Sequence, residues 1–303
     1  MCGIVGLQLR GNREPGLLGG LISSMLAEVR ERGPDSAGVA LYGDPGLTPA
    51  GQAAVSVLAG EVPAHDLAAR LEDLLPAAAI APGIQVTAAA EVRVITADVG
   101  QEQLTGAVRA VLPGAPLLGT GPGLAVLKGV GDPLDLIRSL GLAARGGYQA
   151  VGHTRMATES AVTVAHSHPF SVRPGLCLVH NGSFANHDTI RRELRREGIA
   201  FTTDNDSEVA AAFVGACLDA GDDLEKALRR LGQAFDGFYT LLVTTPTEFA
   251  VVRDPIAAKP ALIAEGPDWV AMASEYRALA VLPGIAAAHV FEPAPEEVYV
   301  WSR

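Results

Sequence analysis

Met1-Cys2-Gly3-Ile4-Val5-Gly6-Leu7-Gln8-Leu9 opens the chain, placing a short apolar strand over 4–9 directly behind a cysteine. An initiator Met is removed when the next residue is small, and Cys2 is small enough. The mature chain would then begin with Cys2, carrying a thiol and a free α-amino group on adjacent carbons. The amine titrates near pH ~8 and the thiol near ~8.5, so at neutral pH some of the amine can accept a proton. A first residue of this kind can act as a nucleophile that brings its own general base. The other reading of Cys2 is a buried cysteine at the start of a strand, a common place for a free thiol.

Working outward, Leu18, Leu21, Ile22, Met25, Leu26 and Val29 recur at helical spacing and predict a helix over 17–32. Gly33 and Pro34 read as its C-terminal stop. Arg32-Gly33-Pro34-Asp35-Ser36-Ala37-Gly38 then leads into a strand over 39–42. Residues 45–148 have a different texture, rich in Ala, Gly and Pro. Strands near 54–58, 86–95 and 124–128 alternate with helices near 65–75, 101–111 and 133–140, which predicts a small α/β insertion. Gly119-Thr120-Gly121-Pro122-Gly123 lacks the spacing of a phosphate-binding loop and reads as a turn.

Val151-Gly152-His153-Thr154-Arg155-Met156-Ala157-Thr158-Glu159-Ser160 reads as a strand running into a polar loop, followed by Ala165-His166-Ser167-His168-Pro169-Phe170. A strand over 176–179 ends at His180-Asn181-Gly182, where Asn-Gly signals a turn. Asn186 is placed to cap a helix over 187–197, with Ile190 and Leu194 inward and Arg191, Arg192, Arg195 and Arg196 outward. Asn205 followed by Glu208 resembles a capping box at the next helix. A third helix from 222 and a meander of strands complete the chain, with a short helix over 275–282.

The 303 residues suffice for one large domain or two modest ones. The net charge of −11 argues against a nucleic-acid partner, since phosphate binding needs a basic face. Three cysteines, Cys2, Cys177 and Cys217, make no disulfide framework and fit a reducing compartment. Cys177 and Cys217 lie on apolar patterns and read as core. No signal peptide and no membrane span are visible, so a cytoplasmic location is expected.

The opening Met-Cys-Gly-Ile-Val-Gly, Arg32 to Gly38, Gly152-His153-Thr154-Arg155, His180-Asn181-Gly182 and Asn205-Asp206-Ser207-Glu208, in this order, resemble the signature of class II glutamine amidotransferases. The likeness runs over about 1–44 and 149–282. It implies the N-terminal-nucleophile hydrolase fold, an α+β four-layer α-β-β-α sandwich of two antiparallel sheets. One amidotransferase domain would span 2–303, interrupted by the insertion at about 45–148. The chemistry implied is acyl transfer at the glutamine amide, which needs a nucleophile, a base, an oxyanion site and a clamp on the amino-acid head group. By resemblance, Cys2 is the nucleophile and its α-amine the base. The side-chain amide of Asn181 and the N–H of Gly182 would meet the oxyanion, though a hairpin turn explains Asn-Gly equally. Arg32 would help to place the nucleophile, or simply stabilise a helix C-terminus. Arg155 offers a planar fork for the substrate's α-carboxylate, or a surface ion pair. Asp206 would meet the α-ammonium, cap its helix, or both. Thr158 is retained from the head-group motif of amino-sugar-forming relatives, but Glu159-Ser160 replace their His-Gly. His166 and His168 lie in a loop that would line the pocket.

A narrower likeness rests on the run from Gly152 to Thr163, on Arg253-Asp254-Pro255-Ile256-Ala257-Ala258-Lys259-Pro260 and on Ser274-Glu275-Tyr276-Arg277-Ala278-Leu279. These resemble the amidotransferase subunit of N-methylglutamate synthase, a relative of the amidotransferase domain of glutamate synthase. That resemblance implies partner synthase subunits, with FMN and iron–sulfur clusters on a large partner and no cofactor or metal in this chain. A stand-alone γ-glutamyl amidase and a non-catalytic regulatory subunit remain open alternatives.

Overall fold

The fold is that of a computed structural model, which describes residues 2–11, 16–75, 83–156 and 161–303. The first strand, β1 (Gly3–Leu9), is buried along its whole length. Successive side chains of a strand point to opposite faces, and here both faces are covered. Gly6 faces one side so closely that an added Cβ would lie 2.3 Å from Leu242 Cδ2. Gly3 faces the other, where a Cβ would lie 2.8 Å from Val29 Cβ. β1 therefore lies in an inner layer of a sandwich, which explains why its sequence lacks polar alternation.

In chain order there follow α1 (Leu17–Glu28), β2 (Ser36–Tyr42), β3 (Ala53–Leu58), α2 (Ala64–Glu72), β4 (Gln85–Ala89), β5 (Val92–Ala97), α3 (Gln101–Val111), β6 (Leu117–Thr120), β7 (Leu124–Val130) and α4 (Pro133–Ser139). Then come β8 (Gln149–Arg155), β9 (Cys177–Phe184), α5 (His187–Arg196), α6 (Asp206–Asp219), α7 (Leu224–Ala234), β10 (Gly237–Thr244) and β11 (Glu248–Arg253). β12 (Leu262–Glu265), β13 (Trp269–Ala273), α8 (Tyr276–Ala280), β14 (His289–Phe291) and β15 (Val298–Ser302) finish the chain. A seven-stranded sheet runs β14-β12-β13-β1-β8-β2-β7, and a four-stranded one β15-β11-β10-β9, both antiparallel.

One core lies on β1 and its neighbours, joining α1 and α8 to the inner face of the smaller sheet through Val179, Leu242, Phe249 and Val251. The alternate residues of that smaller sheet, Leu178, Leu241, Val243 and Ala250, form a second core with α5, α6 and α7. The order of layers is thus helix, sheet, sheet, helix. Gln8 is the one polar residue of β1, and its Nε2 donates to Gln149 Oε1 across the strand pair at 2.8 Å. Gln149 Nε2 passes the chain on to Thr245 O at 2.8 Å, while Gln8 Oε1 stays buried without a partner.

The third sheet, β4-β5-β3-β6, packs α2 and α3 around its own core of Val55, Val57, Leu67, Leu71, Ile95, Leu104 and Val108. The strand read over 86–95 is instead a hairpin, with Ala90 at φ +51° between β4 and β5. β7, read as part of the insertion, pairs with β2 over Ser36–Tyr42 and so edges the main sheet. Val126 N–H donates to Ser56 Oγ at 2.9 Å and ties the two sheets together.

Several local expectations are corrected. α1 stops at Glu28 and a 3₁₀ turn covers Arg30–Arg32. Gly33 is not a left-handed cap, having φ −152°. Its role is close approach, since a Cβ there would sit 2.3 Å from the Thr154 carbonyl carbon. Asn181 and Gly182 lie inside β9, paired with Thr240 and Tyr239, rather than in a turn. Asn186 does not cap α5: its side chain bonds Ala234 O and Asp236 N–H, both at 2.9 Å. Glu208 does not close a capping box. Its carboxylate takes the N–H and hydroxyl of Thr202 and of Thr203, at 2.7–2.8 Å. Arg191 points inward, donating to Thr203 O at 2.6 Å and Asn205 O at 3.0 Å.

Candidate active site

Cys2 stands just before β1 and is partly exposed. Its Sγ lies 3.9 Å from Met156 O, at the end of β8. Its carbonyl is held from two layers: Arg32 Nε donates at 3.0 Å and Asn181 Nδ2 at 3.2 Å. Arg32 comes from the turn after α1 and Asn181 from the facing sheet, so tertiary packing alone brings them together. Arg32 is anchored in turn, its Nη1 donating to Glu275 Oε1 at 2.7 Å. Arg277 Nε holds the other oxygen of Glu275 at 2.6 Å. Partial burial works against the Glu275 charge, but Arg32 and Arg277 outweigh it and hold the carboxyl below its ordinary range. Ile4 N–H donates to Ser274 Oγ and Ser274 N–H to Ile4 O, both at 2.9 Å, which fixes the strand behind the thiol.

Gly182 neighbours Asn181 with φ +153°, a conformation glycine alone adopts freely. A Cβ there would stand 2.0 Å from Phe238 O. Arg155 ends β8, is 5% exposed, and donates from Nη1 to Ala161 O at 3.0 Å. Register places its neighbour Thr154 opposite Gly3. Thr158 lies outside the described residues.

Asp206 is the first residue of α6. Its Oδ2 accepts Phe184 N–H at 3.0 Å, at the far end of the strand that carries Asn181. Burial opposes its charge, yet His180, the Phe184 N–H and His187 prevail and hold the carboxyl well below the usual aspartate range. The helix N-terminus adds to this, and Asn205 Oδ1 caps it through Ser207 N–H at 2.9 Å. Arg191 and Glu208 brace the 202–205 loop that leads into Asp206. His166 is tied to Thr163 Oγ1 at 2.7 Å and to Asp204 Oδ1 at 2.8 Å. His168 lies in the interior, stacked on His153 with ring centroids 4.1 Å apart. Burial pushes His153 down to about 3, the nearby His180 and Arg155 adding to it against a backbone hydrogen bond. Cys177 and Cys217 are buried, and burial lifts the Cys177 thiol to about 11.

The structure therefore gathers Cys2, Arg32 and Asn181 about one carbonyl, puts Gly182 beside Asn181, and sets Asp206 at the end of the same strand. Nothing local in the sequence marks Glu275. Only the fold brings it against Arg32.

A glutamine amidotransferase domain family matches residues 153–281. The glutamine amidotransferase-like protein GlxB of Rhizobium meliloti (strain 1021) is 45% identical over 303 residues, covering 100% of this chain and 99% of that one. This chain belongs to the class II glutamine amidotransferase family. A putative glutamine amidotransferase of Methanothermobacter thermautotrophicus is 28% identical over 99% of both chains. The amidotransferase fold is also that of the solved glutamine phosphoribosylpyrophosphate amidotransferase from B. subtilis, complexed with ADP and GMP. The TM-score is 0.60 at 20% identity, over 99% of this chain and 47% of the longer enzyme. The N-terminal-nucleophile sandwich expected from the motifs is thus the fold of this amidotransferase. Among its described residues no group of three or more His, Cys, Asp or Glu side chains could hold a metal ion, and no helix is long and apolar enough to cross a membrane.

Proposed function

We propose that this chain hydrolyses the γ-amide of L-glutamine through a γ-glutamyl thioester on Cys2. The observation that carries the reading is the Cys2 carbonyl, gripped by Arg32 and Asn181 while the thiol stays partly exposed. Once Met1 is removed, the α-amine takes the thiol proton and the thiolate adds to the amide carbon. An amide nitrogen of Asn has two N–H donors. One holds the Cys2 carbonyl; we assign the other, with the Gly182 N–H, to the oxyanion. The C–N bond then breaks as the protonated amine gives its proton to the departing nitrogen, releasing ammonia. Water, activated by the same amine, cleaves the thioester to glutamate. Arg155 receives the α-carboxylate, Asp206 the α-ammonium, and Thr158 and His166 complete the head-group site.

We assign the ammonia or glutamyl acceptor to a partner synthase of the N-methylglutamate synthase type, with FMN and iron–sulfur clusters on that partner. The chain would work in the reducing cytoplasm, where Cys177 and Cys217 stay free thiols. The test is ammonia release from glutamine by wild type and Cys2→Ser, each with its intact mass measured. Wild type lacking Met1 should be active and the folded variant should lose all but a few per cent. A folded Cys2→Ser protein that keeps its rate, or an active protein that retains Met1, overturns the mechanism.

A further inference from the structure

Beneath Asp206 lies a buried cluster of polar side chains, Ser207, His180 and His168. Ser207 Oγ stands 2.9 Å from His168 Nε2, 2.9 Å from His180 Nδ1 and 3.2 Å from Asp206 Oδ1. Ser207, His180 and His168 are 1%, 3% and 5% exposed, so water does not compete for these bonds. A hydroxyl has one proton and two lone pairs, while an ionised carboxylate only accepts. The Ser207 proton therefore goes to Asp206, and both lone pairs take a ring N–H. This fixes His168 as the Nε2–H tautomer and His180 as the Nδ1–H tautomer. The nitrogens left bare, His168 Nδ1 and His180 Nε2, are the ones buried without a hydrogen-bond partner. The same logic extends one step. The His180 carbonyl can only accept, so His153 donates to it from Nε2 at 3.1 Å, and its bare Nδ1 is likewise buried without a partner. Four elements meet here: β8, the 165–170 loop, β9 and the first turn of α6. Two rings, His168 and His180, donate into Ser207, whose own proton ends on the Asp206 carboxylate, while His153 donates separately to the His180 backbone.

We propose that Ser207, fed by His168 and His180, is a positioning residue that aims Asp206 at the α-ammonium of the substrate and so sets the preference for glutamine over its desamino analogue. The inference rests on the reading of Asp206 given above. A bond to an ionised group is worth about tenfold in affinity, or somewhat more. Losing it through Ser207→Ala leaves the carboxylate held only at Oδ2, by the Phe184 N–H, so that Oδ1 can swing about that bond. This weakens ground-state binding of an α-amino substrate and leaves the amide chemistry in place.

The experiment compares ammonia release from L-glutamine and from glutaramate, which has the same amide and carboxylate but no amine. Ser207→Ala should raise the glutamine KM about tenfold with kcat within about twofold, and leave glutaramate kcat/KM within about twofold. His168→Leu removes one of the two donors and should move the glutamine-to-glutaramate ratio the same way by less. His168→Gln, whose amide N–H can reach the same oxygen, should restore it. Equal losses on both substrates would mean a merely structural Ser207 and overturn the proposal. Asp206→Asn separates the two levels. If it abolishes the preference while Ser207→Ala keeps it, the positioning role fails and Asp206 stands. If Asp206→Asn also keeps the preference, the clamp itself is refuted.

Discussion

Lys128 should make this protein more stable in alkali. It sits on β7 opposite Gly38, 2% exposed, with its Nζ 4.9 Å from the centre of the Phe170 ring. Burial pulls its pKa from 10.5 to about 7, against the smaller pull of Cys177 and Glu208 in the other direction. The unfolded chain binds this proton up to its ordinary pKa, while the folded chain gives it up about three and a half units lower. Between those values the unfolded state holds more protons, so raising the pH favours folding. At 1.36 kcal/mol per unit, the charge penalty is about 4 kcal/mol at pH 7 and about 1 kcal/mol at pH 9.5, a gain of roughly 3 kcal/mol. Lys128→Met keeps the volume and removes the charge. It forfeits the ring contact, worth about 1–2 kcal/mol, and should still be about 2–3 kcal/mol more stable at pH 7. Urea unfolding of both proteins at pH 7 and pH 9.5 reads this directly, and the difference between them cancels every other titrating group. If that difference is the same at both pH values, Lys128 is charged and solvated in the folded state and the reasoning is refuted.

Gly182→Ala should cut glutaminase activity by at least ~100-fold, the scale of a lost oxyanion donor, because its Cβ would meet the Phe238 carbonyl at 2.0 Å. A variant with near wild-type kcat would remove Gly182 from the oxyanion site. Glu275→Gln loosens Arg32 from behind the Cys2 carbonyl and should lower kcat about tenfold with little change in glutamine KM. A rise in KM at constant kcat would place Glu275 in substrate binding instead.

The sequence by itself determined more of the chemistry than of the geometry. Cys2 behind a removable Met, the Arg-Gly-Pro-Asp run and the His-Asn-Gly run are local patterns, and side-chain chemistry limits what each can do. The apolar run of 4–9 likewise marked a strand without revealing that it is central. Where the structure departs from the local pattern, a long-range contact overrides a local preference. Asn-Gly favours a turn, yet Asn181 and Gly182 stay in β9 because β10 pairs with them. Gly33 follows a helix, yet the Thr154–Arg155 backbone passing against it is what needs glycine. Arg191 belongs on the polar face of its helix by spacing, yet two loop carbonyls draw it inward. Strand 124–130 reads like its insertion neighbours, since both are apolar, and only hydrogen bonding to β2 assigns it to the main sheet. The grip on the Cys2 carbonyl joins residues 2, 32, 181 and 275, and the Ser207 hub joins 168, 180, 206 and 207. Hydrogen bonds of about 3 Å between such distant positions carry no periodicity along the chain. The grip exists because two antiparallel sheets stack and bring the start of β1 over the end of β9, and the hub because α6 and the 165–170 loop close on β9.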